Sequence, residues 1–162
     1  MVLNVLVSAF HKAWNPYLFR VLSDNPTKEI KRKLVKFTYL YFVGVLFFGV
    51  IFSYIMTFVL PYMLGDKYIS VGKYLIYFSI AFSFNGMYFM VVDYIFYSKK
   101  TYMLAYITFF TSLVHVIILY FMVERNGILG ATQTMVISYS ITFFMTWWFS
   151  AKVYNMPWKI WR

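Results

Sequence analysis

The stretch FTYLYFVGVLFFGVIFSYIMTFVLPYML, residues 37–64, contains no charged side chain. A transmembrane helix needs about 20 mostly apolar residues to cross a hydrocarbon core of roughly 30 Å, so this stretch is long enough to span a bilayer. Three further mostly apolar runs follow at 73–97, 101–122 and 127–151, joined by short turns. The sequence therefore predicts an all-α, polytopic membrane bundle with four full transmembrane helices.

Three shorter segments complete the predicted bundle, which takes up the whole chain, 1–162, with no second domain. Residues 1–22 predict a partial membrane helix at the N-terminus. Residues 26–36 predict a lysine-rich, amphipathic cytoplasmic segment, and Asn25 before Pro26 suits an N-cap followed by proline in the first helical position. Residues 152–162 predict a cytoplasmic tail.

Composition limits the possible classes of protein. Hydrophobic residues make up 62% of the chain and charged residues only 12%, which excludes an ordinary soluble domain. The absence of cysteine excludes disulfides and thiolate metal sites. The net charge of +10 belongs to residues beside the predicted spans, so the positive-inside bias explains it and no nucleic-acid partner is expected.

The distribution of positive charge predicts one orientation. One alternating set of turns holds eleven of the 15 Lys and Arg residues, and the other set holds three. The richer set comprises Arg20, Lys28, Lys31, Arg32, Lys33, Lys36, Lys99, Lys100, Lys152, Lys159 and Arg162, and the poorer set comprises Lys67, Lys73 and Arg125. Because cytoplasmic loops collect Lys and Arg, the C-terminus is expected in the cytoplasm. Tryptophans at the same predicted helix ends agree with this orientation: Trp14, Trp147, Trp148, Trp158 and Trp161.

A polar stripe runs along the first helix. Its members recur at spacings that place them on one side, and they are Asn4, Ser8, His11, Lys12 and Asn15. Lipid cannot satisfy such side chains, so we expect them to line a cavity and contact substrate. A cationic Lys12 there suits an anionic group such as a pyrophosphate, and the alternative is that Lys12 snorkels to the cytoplasmic interface.

Two more ionisable residues are candidates for ion coupling or gating, Asp93 and His115. Asp93 lies about one turn from the end of its span with Lys99 and Lys100 close by in sequence. Its alternatives are a structural ion pair or a hydrated interface position. For His115 the alternative is a neutral imidazole bonded to a neighbouring helix.

Other polar and small residues predict helix packing rather than chemistry. Asn85 and Gly86 near the middle of the third run predict an interhelical hydrogen bond and a close helix contact. The last run carries a ridge of small side chains every four residues, namely Thr134, Ser138, Thr142, Thr146 and Ser150. No catalytic motif, metal-ligand spacing or cofactor-binding loop occurs, so neither an enzyme, a cofactor nor a metal site is expected.

Four short motifs follow one another in an order that agrees with the predicted topology. They are Ala13, Trp14, Pro16 and Phe19 (Ala-Trp-x-Pro-x-x-Phe), Gly65 and Tyr68 (Gly-x-x-Tyr), Lys99, Lys100 and Thr101 (Lys-Thr), and Gly127, Gly130 and Ala131 (Gly-x-x-Gly-Ala) with Thr132 and Ser138. Together they resemble motifs of the O-antigen and polysaccharide flippases in the multidrug, oligosaccharidyl-lipid and polysaccharide exporter superfamily.

The resemblance implies part of the C-terminal lobe of a twelve-helix transporter in the bacterial inner membrane. Such a transporter moves an undecaprenyl-pyrophosphate-linked oligosaccharide by alternating access between two lobes, with H⁺ or Na⁺ as a coupling ion. The matching covers the end of the eighth helix and the ninth to twelfth. The expected partners are therefore the lipid-linked oligosaccharide, membrane lipids and the missing N-terminal half, and the chain alone is expected to be inactive.

Two other functions remain open. The first is a non-transporting membrane scaffold or remnant, in which the polar stripe only packs helices. The second is a polysaccharide polymerase, which would be expected to carry a large outer loop with catalytic polar residues. The predicted outer turns are too short for such a loop.

The charge pattern predicts which turns face the cytoplasm. Because the chain has no native cysteine, Ser98→Cys and Asn126→Cys can each be labelled without background. A membrane-impermeant maleimide added to intact cells should label Asn126→Cys, whereas Ser98→Cys should react only after lysis. Labelling of Ser98→Cys in intact cells would show the orientation to be wrong.

Overall fold

The chain is entirely helical in the parts that the structure, a computed structural model, describes, which are residues 2–65 and 70–159. The four helices are α1 (Val2–Ser23), α2 (Lys28–Leu64), α3 (Gly72–Tyr97) and α4 (Tyr102–Val153). Three of them, α2, α3 and α4, are long and apolar enough to cross a membrane. The predicted all-α class is therefore confirmed.

Helix α2 joins two segments that the sequence analysis separated. The lysine-rich residues 26–36 and the apolar run 37–64 form one helix that begins at Lys28. Its N-cap is Thr27, whose hydroxyl accepts a hydrogen bond from the Ile30 backbone N–H at 3.4 Å. The predicted Asn25 cap is wrong, because an N-cap needs extended backbone, which Thr27 has, whereas Asn25 is left-handed with φ of 50°.

Helix α4 reverses direction at Gly127. The torsion angles of Gly127, φ 56° and ψ −133°, are open mainly to glycine. His115 Nδ1 lies 2.7 Å from Ser138 Oγ although 23 positions separate them, a distance of about 35 Å in a continuous helix. A Cβ at Gly130 would collide with the Met122 carbonyl oxygen. α4 is therefore two antiparallel arms, which correspond to the predicted runs 101–122 and 127–151.

Helix α3 lies at the centre and packs against α1, α2 and α4. The predicted roles of Asn85 and Gly86 in its middle are confirmed. The Asn85 side-chain amide donates to Asn4 Oδ1 of α1 at 3.4 Å. A Cβ on Gly86 would lie 2.9 Å from a methyl group of Val7, so the glycine lets α1 approach closely. The small-residue ridge of α4 is also buried at Thr134, Thr146 and Ser150.

The basic segments meet at one end of the bundle, which we call the basic end. The end of α1 reaches the end of α3 where the Phe19 and Tyr97 rings lie 5.7 Å apart. Tyr97 in turn contacts Tyr154 just after α4, with ring centroids 5.7 Å apart. The ammonium of Lys31 in α2 lies 5.1 Å from the Tyr154 ring. The tertiary structure therefore gathers the charge-rich turns on one side of the bundle.

The predicted tail, residues 152–162, folds back onto the helices as far as residue 159, and Trp161 lies outside the described residues. Tyr39 of α2 donates its hydroxyl to the Trp158 carbonyl at 3.0 Å. Met156 is buried, and the Trp158 ring packs edge-on against Tyr39 and Trp147. Partial burial also raises the pKa of the Tyr154 phenol above its ordinary value.

Gly49 and Gly44 of α2 form a matched pair for testing the α2–α3 contact. A Cβ on Gly49 would lie 2.5 Å from Ser83 Oγ and 3.2 Å from the Ser79 carbonyl oxygen, whereas a Cβ on Gly44 would meet nothing within 4 Å. Gly49→Ala should lower the free energy of unfolding by about 1–3 kcal/mol through overpacking. Gly44→Ala should leave it unchanged or higher, because alanine favours helix. Thermal unfolding in detergent measures both, and equal effects would contradict the close contact.

Candidate functional site

Three polar side chains meet between α1 and α3, and we call them the polar cluster: His11, Asn15 and Asp93. His11 and Asn15 are four positions apart in α1 and therefore project from the same face. The Asn15 amide donates to Asp93 Oδ1 at 2.8 Å, and His11 Nε2 lies 2.9 Å from the same oxygen. A single carboxylate oxygen thus receives both contacts from α1.

The Asp93 side chain has no exposed surface, and its Oδ2 atom is buried without a hydrogen-bond partner among the described residues. The hydrated interface position, one of the alternatives for Asp93, therefore does not apply. The contact of its carboxyl group is with His11 and not with Lys99 or Lys100. A buried carboxylate is costly unless it is paired and hydrogen-bonded, so His11 and Asn15 supply the compensation that lipid and the apolar core cannot.

His11 also lies between the buried Asp93 side chain and the surface of the bundle. Its side chain is 22% exposed, and its ring stacks on Phe89 with centroids 4.6 Å apart and an 11° angle between planes. The stacking fixes the ring with Nε2 toward Asp93. The cluster thus connects a buried carboxyl group with a partly exposed imidazole ring.

The remaining polar residues of α1 are divided between the interior and the surface. Asn4 accepts the hydrogen bond from Asn85, and Ser8 is half-buried on the same side. Lys12 is exposed and makes no hydrogen bond or ion pair with the described residues. The structure therefore brings Asn4, His11 and Asn15 to the α1–α3 contact and leaves Lys12 outside it.

His115 belongs to a separate polar groove between the two arms of α4. Its contact with Ser138 is the neighbouring-helix bond that the sequence analysis gave as the alternative to a coupling role. The groove has a volume of about 480 Å³, and its polar lining comprises Thr111, Ser112, His115, Ser138, Tyr139 and Thr142. The structure does not bring His115 to Asp93. Within residues 2–65 and 70–159, no cluster of three or more metal-ligating side chains occurs.

Comparison with known proteins finds no protein-family model, no curated protein and no solved structure that matches the chain. The flippase resemblance therefore rests on the short motifs themselves. Tyr68, one of those motif residues, lies outside the described residues.

The sequence analysis found every member of the polar cluster and missed their association. It placed His11 with the substrate-binding residues and Asp93 with the coupling residues. The missing information was the register between α1 and α3, which run in the same direction. The one sequence signal for this register was the predicted hydrogen bond of Asn85. In the structure its partner is Asn4, and this pairing places His11 and Asn15, further along α1, beside Asp93 of α3.

A double-mutant cycle tests the pairing of His11 with Asp93. His11→Leu should lower the free energy of unfolding by about 3 kcal/mol, because it leaves a buried carboxylate with only Asn15 as partner. His11→Leu combined with Asp93→Leu should cost less than the sum of the single changes by about 1 kcal/mol or more. Thermal unfolding in detergent provides the measurement. Additive effects would show that the two residues do not interact.

His115→Leu is the control for this cycle. It removes a hydrogen bond to the neutral Ser138 hydroxyl and should cost only about 1 kcal/mol. A loss as large as that of His11→Leu would mean that any half-buried histidine in this bundle is equally sensitive.

Proposed function

We propose that the chain is part of a transporter that moves an undecaprenyl-pyrophosphate-linked oligosaccharide, an O-antigen or capsule repeat unit, across the bacterial inner membrane. The observation that carries the proposal is an exposed Lys12, which has no ion-pair partner among the described residues. It lies one residue from the His11–Asp93 pair, on a bundle with long apolar helices. An ionisable group at membrane depth marks a substrate or ion path by default. The motif resemblance supplies the substrate class.

The proposed arrangement in the inner membrane has four spans, and the helices and the charges support it. α2, α3 and the two arms of α4 each carry an apolar stretch long enough to cross, and the basic end faces the cytoplasm under the positive-inside rule. α1 and the C-terminus then also reach the cytoplasmic side. This orientation puts Lys12 within the membrane, about 16 Å along α1 from its basic end.

The face of α1 that carries Lys12 needs a polar or aqueous neighbour. Lipid tails cannot solvate an ammonium group, and the described residues supply no carboxylate to it. We propose that this face meets a second lobe across a water-filled cavity, in which Lys12 attracts the pyrophosphate of the substrate. Alternating access then rocks this bundle against that lobe.

The polar cluster is proposed to couple transport to protons rather than to Na⁺. Hard cations prefer oxygen ligands, whereas both groups that contact Asp93 Oδ1 do so through nitrogen. Uptake of a proton by the His11–Asp93 pair changes the charge beside Lys12 and therefore the attraction of the cavity for an anion. His115 retains its proposed gating role in the groove between the α4 arms.

A non-transporting scaffold is the second candidate. It is favoured by the internal pairing of the polar stripe, since Asn4, His11 and Asn15 all bond to α3 side chains. In that case Lys12 extends toward the membrane interface and contacts no substrate.

Binding of undecaprenyl pyrophosphate to the purified chain in lipid nanodiscs distinguishes these candidates. Lys12→Ala should weaken binding about tenfold, which is the loss of one charge-assisted contact. Lys12→Arg should restore most of the affinity because it keeps the positive charge. Microscale thermophoresis gives the dissociation constants.

Lys100→Ala is the matched control, since Lys100 is an exposed lysine at the basic end, just after α3, and is not part of the α1 stripe. Its affinity should equal that of the unchanged chain. Equal binding by Lys12→Ala and Lys100→Ala would mean that Lys12 extends toward the membrane interface and contacts no substrate, which favours the scaffold. Export in a strain that lacks its flippase should require co-expression of an N-terminal lobe, and surface polysaccharide made with this chain alone would contradict the two-lobe proposal.

A further inference from the structure

A groove of about 740 Å³ opens between the second half of α1 and the first turns of α2, at the basic end. The turn between the two helices closes it on one side. Its lining comprises Trp14, Tyr17, Val21, Asp24, Asn25, Pro26, Thr27, Ile30, Lys33, Leu34 and Phe37. The α2 members are spaced by three or four positions, so they form one continuous helix face. We call this space the α1–α2 groove.

The wall of the groove is apolar. The Trp14 ring stacks on Phe37 with centroids 4.8 Å apart, and both Trp14 and Leu34 are buried beneath it. Tyr17, Ile30 and Phe37 remain exposed to 53%, 40% and 40%. A surface of stacked aromatic rings beside exposed apolar side chains suits a hydrocarbon chain.

The mouth of the groove, beside the turn, is polar and carries one cation. Lys33 is the only basic side chain in the lining, and no carboxylate within the described residues forms an ion pair with it. Lys31, by contrast, lies over the Tyr154 ring. Asp24 also borders the mouth. It is exposed and forms no ion pair with the described residues, so the Lys33 ammonium remains available.

We propose that the α1–α2 groove binds one anionic diacyl phospholipid, with its phosphate at Lys33 and one acyl chain along Trp14, Ile30 and Phe37. Two observations select this occupant over an apolar partner helix. Within one cavity the lining changes from apolar along the wall to cationic at the mouth. This change matches the apolar chains and the anionic headgroup of a phospholipid. The groove also lies at the level where the basic residues gather, which is where anionic headgroups are attracted.

This lipid site stands independently of the proposed transport function. It uses neither Lys12 nor the polar cluster, and its readout is bound lipid rather than binding or export of an oligosaccharide. A failure of one proposal therefore leaves the other intact.

Native mass spectrometry of the purified chain tests the site. With equal amounts of phosphatidylglycerol and phosphatidylcholine of the same acyl chains, the unchanged chain should retain phosphatidylglycerol about fivefold more, the effect of one basic residue near the headgroup. Lys33→Gln should lose this preference and Lys33→Arg should keep it. Lys100→Gln, the same change at another exposed lysine of the basic end, should also keep it.

A filling variant tests the acyl-chain part of the site. Val21→Trp should lower retention of phosphatidylglycerol while Lys33 remains, because the indole takes up space in the groove. Glycerol 3-phosphate, which has the phosphate without the chains, should not displace the lipid at millimolar concentration.

Three results would overturn the proposal. They are the absence of any phosphatidylglycerol preference in the unchanged chain, equal loss in Lys33→Gln and Lys100→Gln, and displacement by glycerol 3-phosphate. The last result would identify a site for soluble anions. Melting curves of each variant verify that the exposed Lys33 can be changed without unfolding the chain.

Discussion

The carboxyl group of Asp93 is fully buried and needs polar partners, and the position of α1 against α3 depends on supplying them. The side chain has no exposed surface, and its hydrogen-bonding partners both come from α1. Removing a charge from water costs several kcal/mol unless compensating partners are in place. α1 must therefore lie parallel to α3 at a single register, which the Asn4–Asn85 bond and the contact of Val7 with Gly86 reinforce.

The same register gives the bundle its functional asymmetry. It brings His11 and Asn15 against Asp93 of α3 and leaves Lys12, about 100° around α1 from His11, exposed. In the proposed mechanism, a proton taken up by the polar cluster alters the charge at the neighbouring position of Lys12. The proposal of coupled transport depends on that adjacency, because coupling requires two sites that share one change of state.

Glycine positions set how closely the other helices approach. Gly49 lets α2 contact the Ser79–Ser83 turn of α3, where Ser83 bonds to the Val45 carbonyl oxygen across the interface. Gly127 reverses α4, and Gly130 allows its arms to meet beside Met122. Helices in an apolar medium gain little from hydrophobic burial, so such close contacts and interhelical hydrogen bonds carry much of their association. The aromatic packing of Tyr39, Trp147 and Trp158 then closes the basic end.

Composition and the apolar runs determined that the chain is all-helical and rich in membrane-length segments, because length and hydropathy are properties of the sequence itself. Periodicity likewise identified the polar face of α1 and the close contact at Gly86. Only the tertiary structure decided which oxygen His11 contacts, that Thr27 rather than Asn25 caps α2, and that a groove opens beside Lys33. These features depend on the relative shift of packed helices by a few ångströms, a quantity set by side-chain interdigitation between segments far apart in the chain.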